Sequence, residues 1–185
     1  MSTTSHTIAS LLMHVTSQLQ TGGFDQTSAT QEARWLLAHV LGQSIEYLFT
    51  HAQEVLNAKH VDALHTLLEQ RITEHKPLGY ILGSVPFCNL NISVKPPVLI
   101  PRMETEEWVT WLIEQHHTTR ARKLRILDLC TGSGCIALSL AHHLPHAQVT
   151  GADITNEVMS YDPNDFGIYD MVHSTVSCVP NYFTF

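Results

Sequence analysis

Leu124-Arg125-Ile126-Leu127-Asp128-Leu129-Cys130-Thr131-Gly132-Ser133-Gly134-Cys135-Ile136-Ala137-Leu138 decides how the rest of this chain is read. Leu124 to Leu129 is a short apolar run carrying one acid, Asp128, and reads as a buried strand. Gly132 and Gly134 allow a sharp turn and let a ligand come close to the backbone. A helix from Cys135 to roughly His143 follows, with its free N–H groups and positive dipole end facing the turn. A second strand over residues 147–152 then ends at Asp153. An acid at the tip of a second strand is where a βαβ nucleotide site grips a ribose. A glycine turn alone also fits an ordinary strand-to-helix connection, and the spacing to Asp153 favours the nucleotide reading. The three-glycine dinucleotide pattern G-x-G-x-x-G is absent.

Working outward, 185 residues hold one ordinary domain, or a small domain and part of another. Hydrophobic residues make up 44%, enough for a packed core. No apolar run is long enough to span a membrane, and the N-terminus lacks the basic-then-apolar pattern of a secretory signal. The four cysteines, Cys88, Cys130, Cys135 and Cys178, form no C-x-x-C pair and no zinc spacing, so a reduced cytoplasmic chain is expected. A formal charge of −7 argues against gripping nucleic acid by bulk electrostatics. Thirteen histidines are scattered without H-E-x-x-H. His142, His143 and His146 cluster, but Pro145 breaks the helix that would align them, so solvated or capping histidines are expected and no metal site.

Toward the N-terminus, Ile8, Leu11, Leu12, Val15 and Leu19 fall at helical spacing, and Gly22-Gly23 ends that segment. A second helix is predicted from roughly Ser28 to Leu41, a short third over Ile45 to Phe49, and a longer one over residues 57–75 with Val61, Leu64, Leu67, Leu68 and Ile72 as its buried stripe. Residues 1–80 thus read as a helical bundle without a catalytic constellation. Val85 to Cys88 and Leu90 to Val94 read as two short strands pairing as a hairpin. Pro96-Pro97 and Pro101 stiffen the segment after them, and residues 81–103 read as a linker. Glu104, Thr105, Glu106 and Glu107 open a helix running to about His116, where acids suit the dipole.

Asp128-Leu129-Cys130-Thr131-Gly132-Ser133-Gly134 resembles the D/E-x-G-x-G-x-G motif of class I S-adenosylmethionine (SAM) methyltransferases, with Cys130 in place of the first glycine, where a small residue suffices for most of that role. Pro77-Leu78-Gly79-Tyr80-Ile81-Leu82-Gly83, Phe87 with Leu90, and Val98-Leu99-Ile100-Pro101-Arg102-Met103-Glu104-Thr105-Glu106 resemble the linker signature of the HemK/PrmC family, the release factor glutamine methyltransferases. The resemblance covers about residues 5–154. It implies a small helical domain that engages the release factor (residues 1–80), a hairpin linker (81–103), and the start of a Rossmann-like SAM-methyltransferase sheet (104–154). It further implies SAM binding by Cys130, Thr131, Gly132, Ser133 and Gly134, loop support from Asp128, a ribose contact from Asp153, and closure over the cofactor by Arg102, Glu104 and Thr105. The reaction implied is methylation of the glutamine amide in a Gly-Gly-Gln motif, by a monomer. A related enzyme acting on ribosomal protein L3 shares D-L-C-T-G-S-G-C-I-A but generally lacks E-T-E after I-P-R.

The family's Asn-Pro-Pro-Tyr motif, which holds the substrate amide, is not in this sequence. Tyr169 to Ser174 resembles the strand that should lead into it, and residues 155–185 depart from the family pattern. The expectation is therefore a truncated or altered copy with an incomplete sheet, no assignable catalytic residue, and weak or absent SAM binding. The alternative is an inactive fragment that at most docks a release factor.

Overall fold

The computed structural model describes residues 6–116, 124–153 and 176–180. The chain divides into two compact units, residues 1–82 and 83–185. The first is helical: α1 (Ile8–Thr21), α2 (Gln26–Leu41), α3 (Ile45–Thr50), α4 (Ala58–Ile72) and α5 (Leu78–Leu82). A polar side chain caps each of the first four starts. Thr7 accepts from the Ser10 N–H, Asp25 from Thr27 and Ser28, Ser44 from Tyr47, and Asn57 from His60. Such caps satisfy N–H groups that the first turn leaves unpaired, at about 1 kcal/mol each. The Asp25 cap explains why α2 begins at Gln26, ahead of the predicted Ser28: residues 26–28 look like polar loop, and the cap makes them the first turn.

Ile8, Leu11, Val15 and Leu19 from α1 meet Ala29, Ala33, Leu36 and Leu37 from α2, with Leu48, Leu64, Leu68 and Ile81 completing the core. Full burial of one such leucine or isoleucine contributes about 1.5–3 kcal/mol, so this cluster dominates the stability of the unit. Arg71 adds a directional tie. Its Nε and Nη2 reach the two Glu32 carboxylate oxygens at 2.6 and 2.8 Å, and its guanidinium lies 4.5 Å from the Phe24 ring centroid.

The second unit opens with β1 (Ser84–Phe87) and β2 (Leu90–Ser93), an antiparallel pair in which Phe87 faces Leu90. Both intervening residues, Cys88 and Asn89, have positive φ, at 46° and 62°. That is the backbone a two-residue type I′ hairpin turn demands. Helix α6 (Met103–His116) follows, then β3 (Leu124–Leu129), α7 (Cys135–His143), β4 (Ala147–Asp153) and β5 (Val176–Pro180). The last three strands form a parallel sheet in the order β3-β4-β5. The fold is thus a helical unit followed by a hairpin and a small, incomplete α/β sheet. No helix among the described residues is long and apolar enough to cross a membrane.

Contrary to expectation, β3 is not a buried strand. Leu124, Ile126 and Asp128 are half-buried, while Leu127 and Leu129 are 60% and 49% exposed. A parallel strand is buried only when helices cover both faces of its sheet. Helix α7 packs against this sheet, and the face carrying Leu127 and Leu129 stays open to solvent. Residues 169–174, expected as a strand, lie outside the described residues; the third parallel strand is 176–180.

Candidate functional site

The register of the sheet builds the site. Asp128 of β3 stands beside Gly151 of β4, and the last pair of the two strands is Leu129 with Ala152, one residue before Asp153 ends β4. The chain then turns through Cys130, Thr131, Gly132 and Ser133 into α7, with Gly134 as N-cap. Cys130, Gly132 and Gly134 all take positive φ, at 58°, 55° and 77°. A glycine adopts this freely, whereas an L-residue is strained there by about 1–2 kcal/mol. Size is therefore not what a glycine at position 130 would supply; the backbone conformation is, and Cys130 adopts it under strain.

Asp128 fastens the turn from below. Its Oδ2 accepts the Thr131 hydroxyl at 2.6 Å and the Ala137 N–H of α7 at 3.2 Å. Thr131 is almost fully buried, and its own N–H donates to the Ala152 carbonyl at 3.0 Å. Asp153 fastens the turn from the neighbouring strand: its Oδ2 accepts the Gly132 N–H at 3.0 Å. Burial pushes the Asp128 carboxyl above its ordinary range. The Thr131 hydroxyl and Ala137 N–H pull it back, and the Asp153 carboxylate pushes it up again. Burial likewise raises the thiol of Cys135, the first residue of α7, with Ser133 beside it. That thiol is not poised as a nucleophile.

Gly151 was not singled out by sequence reasoning. A Cβ there would lie 3.1 Å from Thr131 Oγ1 and 3.4 Å from its Cβ and Cγ2. The bare strand position is what lets Thr131 tuck in and reach Asp128, and a glycine inside a strand pattern is the signal that could have found it. Arg102, Glu104 and Thr105 stand at the start of α6. The Arg102 carbonyl accepts from the N–H groups of Thr105 and Glu106 at 3.0 and 3.1 Å, while the Arg102 and Glu104 side chains are exposed. Among the described residues, no hydrogen bond or ion pair joins these three to the glycine turn.

The turn is open above Gly132. Among the described residues, a Cβ built there would have only the Cys130 carbonyl within 4 Å, at 3.9 Å. A ligand could therefore rest against bare backbone at the mouth of α7, with acids on the two flanking strand ends. This arrangement fits a ligand with hydroxyls for an acid to accept and a body needing close backbone approach.

A family model described as the PrmC N-terminal domain matches residues 10–83. The release factor glutamine methyltransferase of Vibrio cholerae is 39% identical over 151 residues, spanning 82% of this chain and 51% of that protein. The chain belongs to the HemK/PrmC family. The release factor glutamine methyltransferase of Geobacter sulfurreducens is also 39% identical, over 68% of this chain and 43% of its own length. The bifunctional methyltransferase of Rickettsia conorii is 31% identical, over 95% and 37%. This HemK/PrmC chain thus spans about half the length of the curated relatives it matches, or less.

Proposed function

We propose that this HemK/PrmC chain carries the substrate-recognition domain and the cofactor turn of a SAM-dependent protein-(glutamine-N5) methyltransferase acting on peptide chain release factors. One observation carries the reading: a strained glycine turn is pinned between Asp128 and Asp153 at the ends of adjacent parallel strands, and the PrmC N-terminal domain precedes it. Residues 1–80 would recognise the release factor, 81–103 would link, and 104–154 would hold the cofactor. Thr131, Gly132, Ser133 and Gly134 would present backbone to the methionine part of SAM, with Cys130 at the rim. Asp153, already bonded to the Gly132 N–H, would face the ribose, and Asp128 would keep the turn in shape. Arg102, Glu104 and Thr105 are second candidates for closing over the ligand.

When bound, SAM would supply a methyl group activated on a sulfonium; displacement by the glutamine amide nitrogen would release the thioether S-adenosylhomocysteine and pass the amide proton to solvent. Such a transfer depends chiefly on positioning. The residues of this sequence account for binding and orienting, and no residue here is assigned to holding the substrate amide. The chain by itself is accordingly expected to bind SAM weakly and to dock a release factor without methylating it. A cytoplasmic monomer without nucleic acid is the setting we propose.

Labelled SAM incubated with the chain and purified release factor tests this, with ribosomal protein L3 as a second acceptor. Release factor retained by the chain, without label, is the expected result. Label on the Gly-Gly-Gln glutamine would overturn the binding-only part. Retention of ribosomal protein L3 in place of release factor would overturn the substrate.

A further inference from the structure

The hairpin turn at Cys88 breaks a local rule. Two-residue turns with positive φ favour asparagine and glycine, and Asn89 obeys, but Cys88 is an ordinary L-residue at φ 46° and nearly buried. A backbone in that region persists only where its surroundings hold it. Both polar groups of the Cys88 backbone are held, by two different helices. Its N–H donates to Glu106 Oε1 of α6 at 2.7 Å. Its carbonyl lies 2.8 Å from His143 Nε2 of α7. A carbonyl only accepts, so this contact requires a proton on His143 Nε2. The thiol fills the remaining side, 3.6 Å from Thr110 Oγ1 and 3.9 Å from the Glu106 carbonyl.

His143 ends the helix whose first turn begins at the glycine loop, and nine residues of α7 make a rigid rod of about 13 Å. A clamp on its last residue fixes the tilt of its first. Glu106 lies four residues past Arg102, one turn into the helix that begins at Met103. We infer that the Cys88 peptide, gripped by Glu106 and His143, is a post that sets the glycine turn relative to the start of α6, and that Glu106 and His143 are positioning residues for cofactor binding. The hairpin is then a bracket for the cofactor site as well as a spacer. The cofactor half of this inference rests on the function proposed above; the positioning half does not.

The test reads the two halves separately. In ¹⁵N-labelled full chain without ligand, His143→Met fills the same space but cannot donate, whereas His143→Gln keeps an N–H donor. The Gly132 and Gly134 amide resonances should move in His143→Met and stay near wild type in His143→Gln, with resonances of residues 8–72 unmoved in both. S-adenosylhomocysteine titrated into the same samples should bind about five-fold more weakly to His143→Met, the effect of one lost hydrogen bond of about 1 kcal/mol. A folded His143→Met chain with unmoved Gly132 and Gly134 resonances overturns the inference. If His143→Met does not fold, Glu106→Ala against Glu106→Gln is read by the same criterion from the other helix. A wild-type chain that binds no S-adenosylhomocysteine removes the cofactor reading, while the ligand-free spectra still decide the clamp.

Discussion

At the scale of the residue, Asp128 carries a cost that pH exposes. Burial raises its carboxyl above the ordinary 3.8, so the folded state holds its proton more tightly than the unfolded chain does. The stability this group contributes is therefore greatest below 3.8 and is lost as pH rises through the raised native value. Asp128→Asn removes the ionisation, yet its side-chain carbonyl can still accept from Thr131 and Ala137. Urea midpoints of both chains between pH 4 and 8 should show the asparagine chain gaining on wild type as pH rises. A gap that closes with rising pH would contradict the assignment. The two acids and the glycines of the turn were legible in sequence because their types and spacing set its backbone and its hydrogen bonds. Gly151 was not, since its importance lies in Thr131 approaching from another segment. His143 escaped for the same reason: expected to be solvated or capping, it bonds a carbonyl 55 positions away.

At the scale of the element, helical periodicity placed α1 and α4 to within a few residues, because each has one apolar stripe facing a core. What periodicity does not carry is the tie between stripes. Arg71 and Glu32 lie 39 residues apart and meet as a two-pronged ion pair joining α4 to α2, with Phe24 under the guanidinium. Both side chains are more than four-fifths buried, so removing one partner strands the other charge. Arg71→Ala should lower stability by about 3 kcal/mol, and Arg71→Lys should recover only part, because lysine cannot make the fork. Thermal melts of the three chains check this; equal melting of wild type and Arg71→Ala would show that the pair contributes nothing. The mistaken burial of β3 is also an element-scale error. An apolar strand sequence records which neighbours it suits, while exposure depends on which layers are present.

At the scale of the molecule, the helical core among the described residues runs from Ile8 to Leu82. Residues 1–82 made alone should fold cooperatively with native-like helicity, having their own caps, core and ion pair. A fragment without a thermal transition would show that the helical unit depends on the rest of the chain. The second unit is less self-sufficient, since Leu127, Leu129, Trp108 and Trp111 remain exposed on its strands and helix. That openness motivates weak rather than tight cofactor binding by this chain. Titrating S-adenosylhomocysteine into ¹⁵N-labelled chain shows whether the pinned glycine turn is a cofactor site. We expect saturable shifts centred on residues 130–134 and 153, and affinity at least ten-fold lower in Asp153→Ala. A folded chain whose turn resonances do not respond, or an Asp153→Ala chain that binds as well as wild type, would contradict the account.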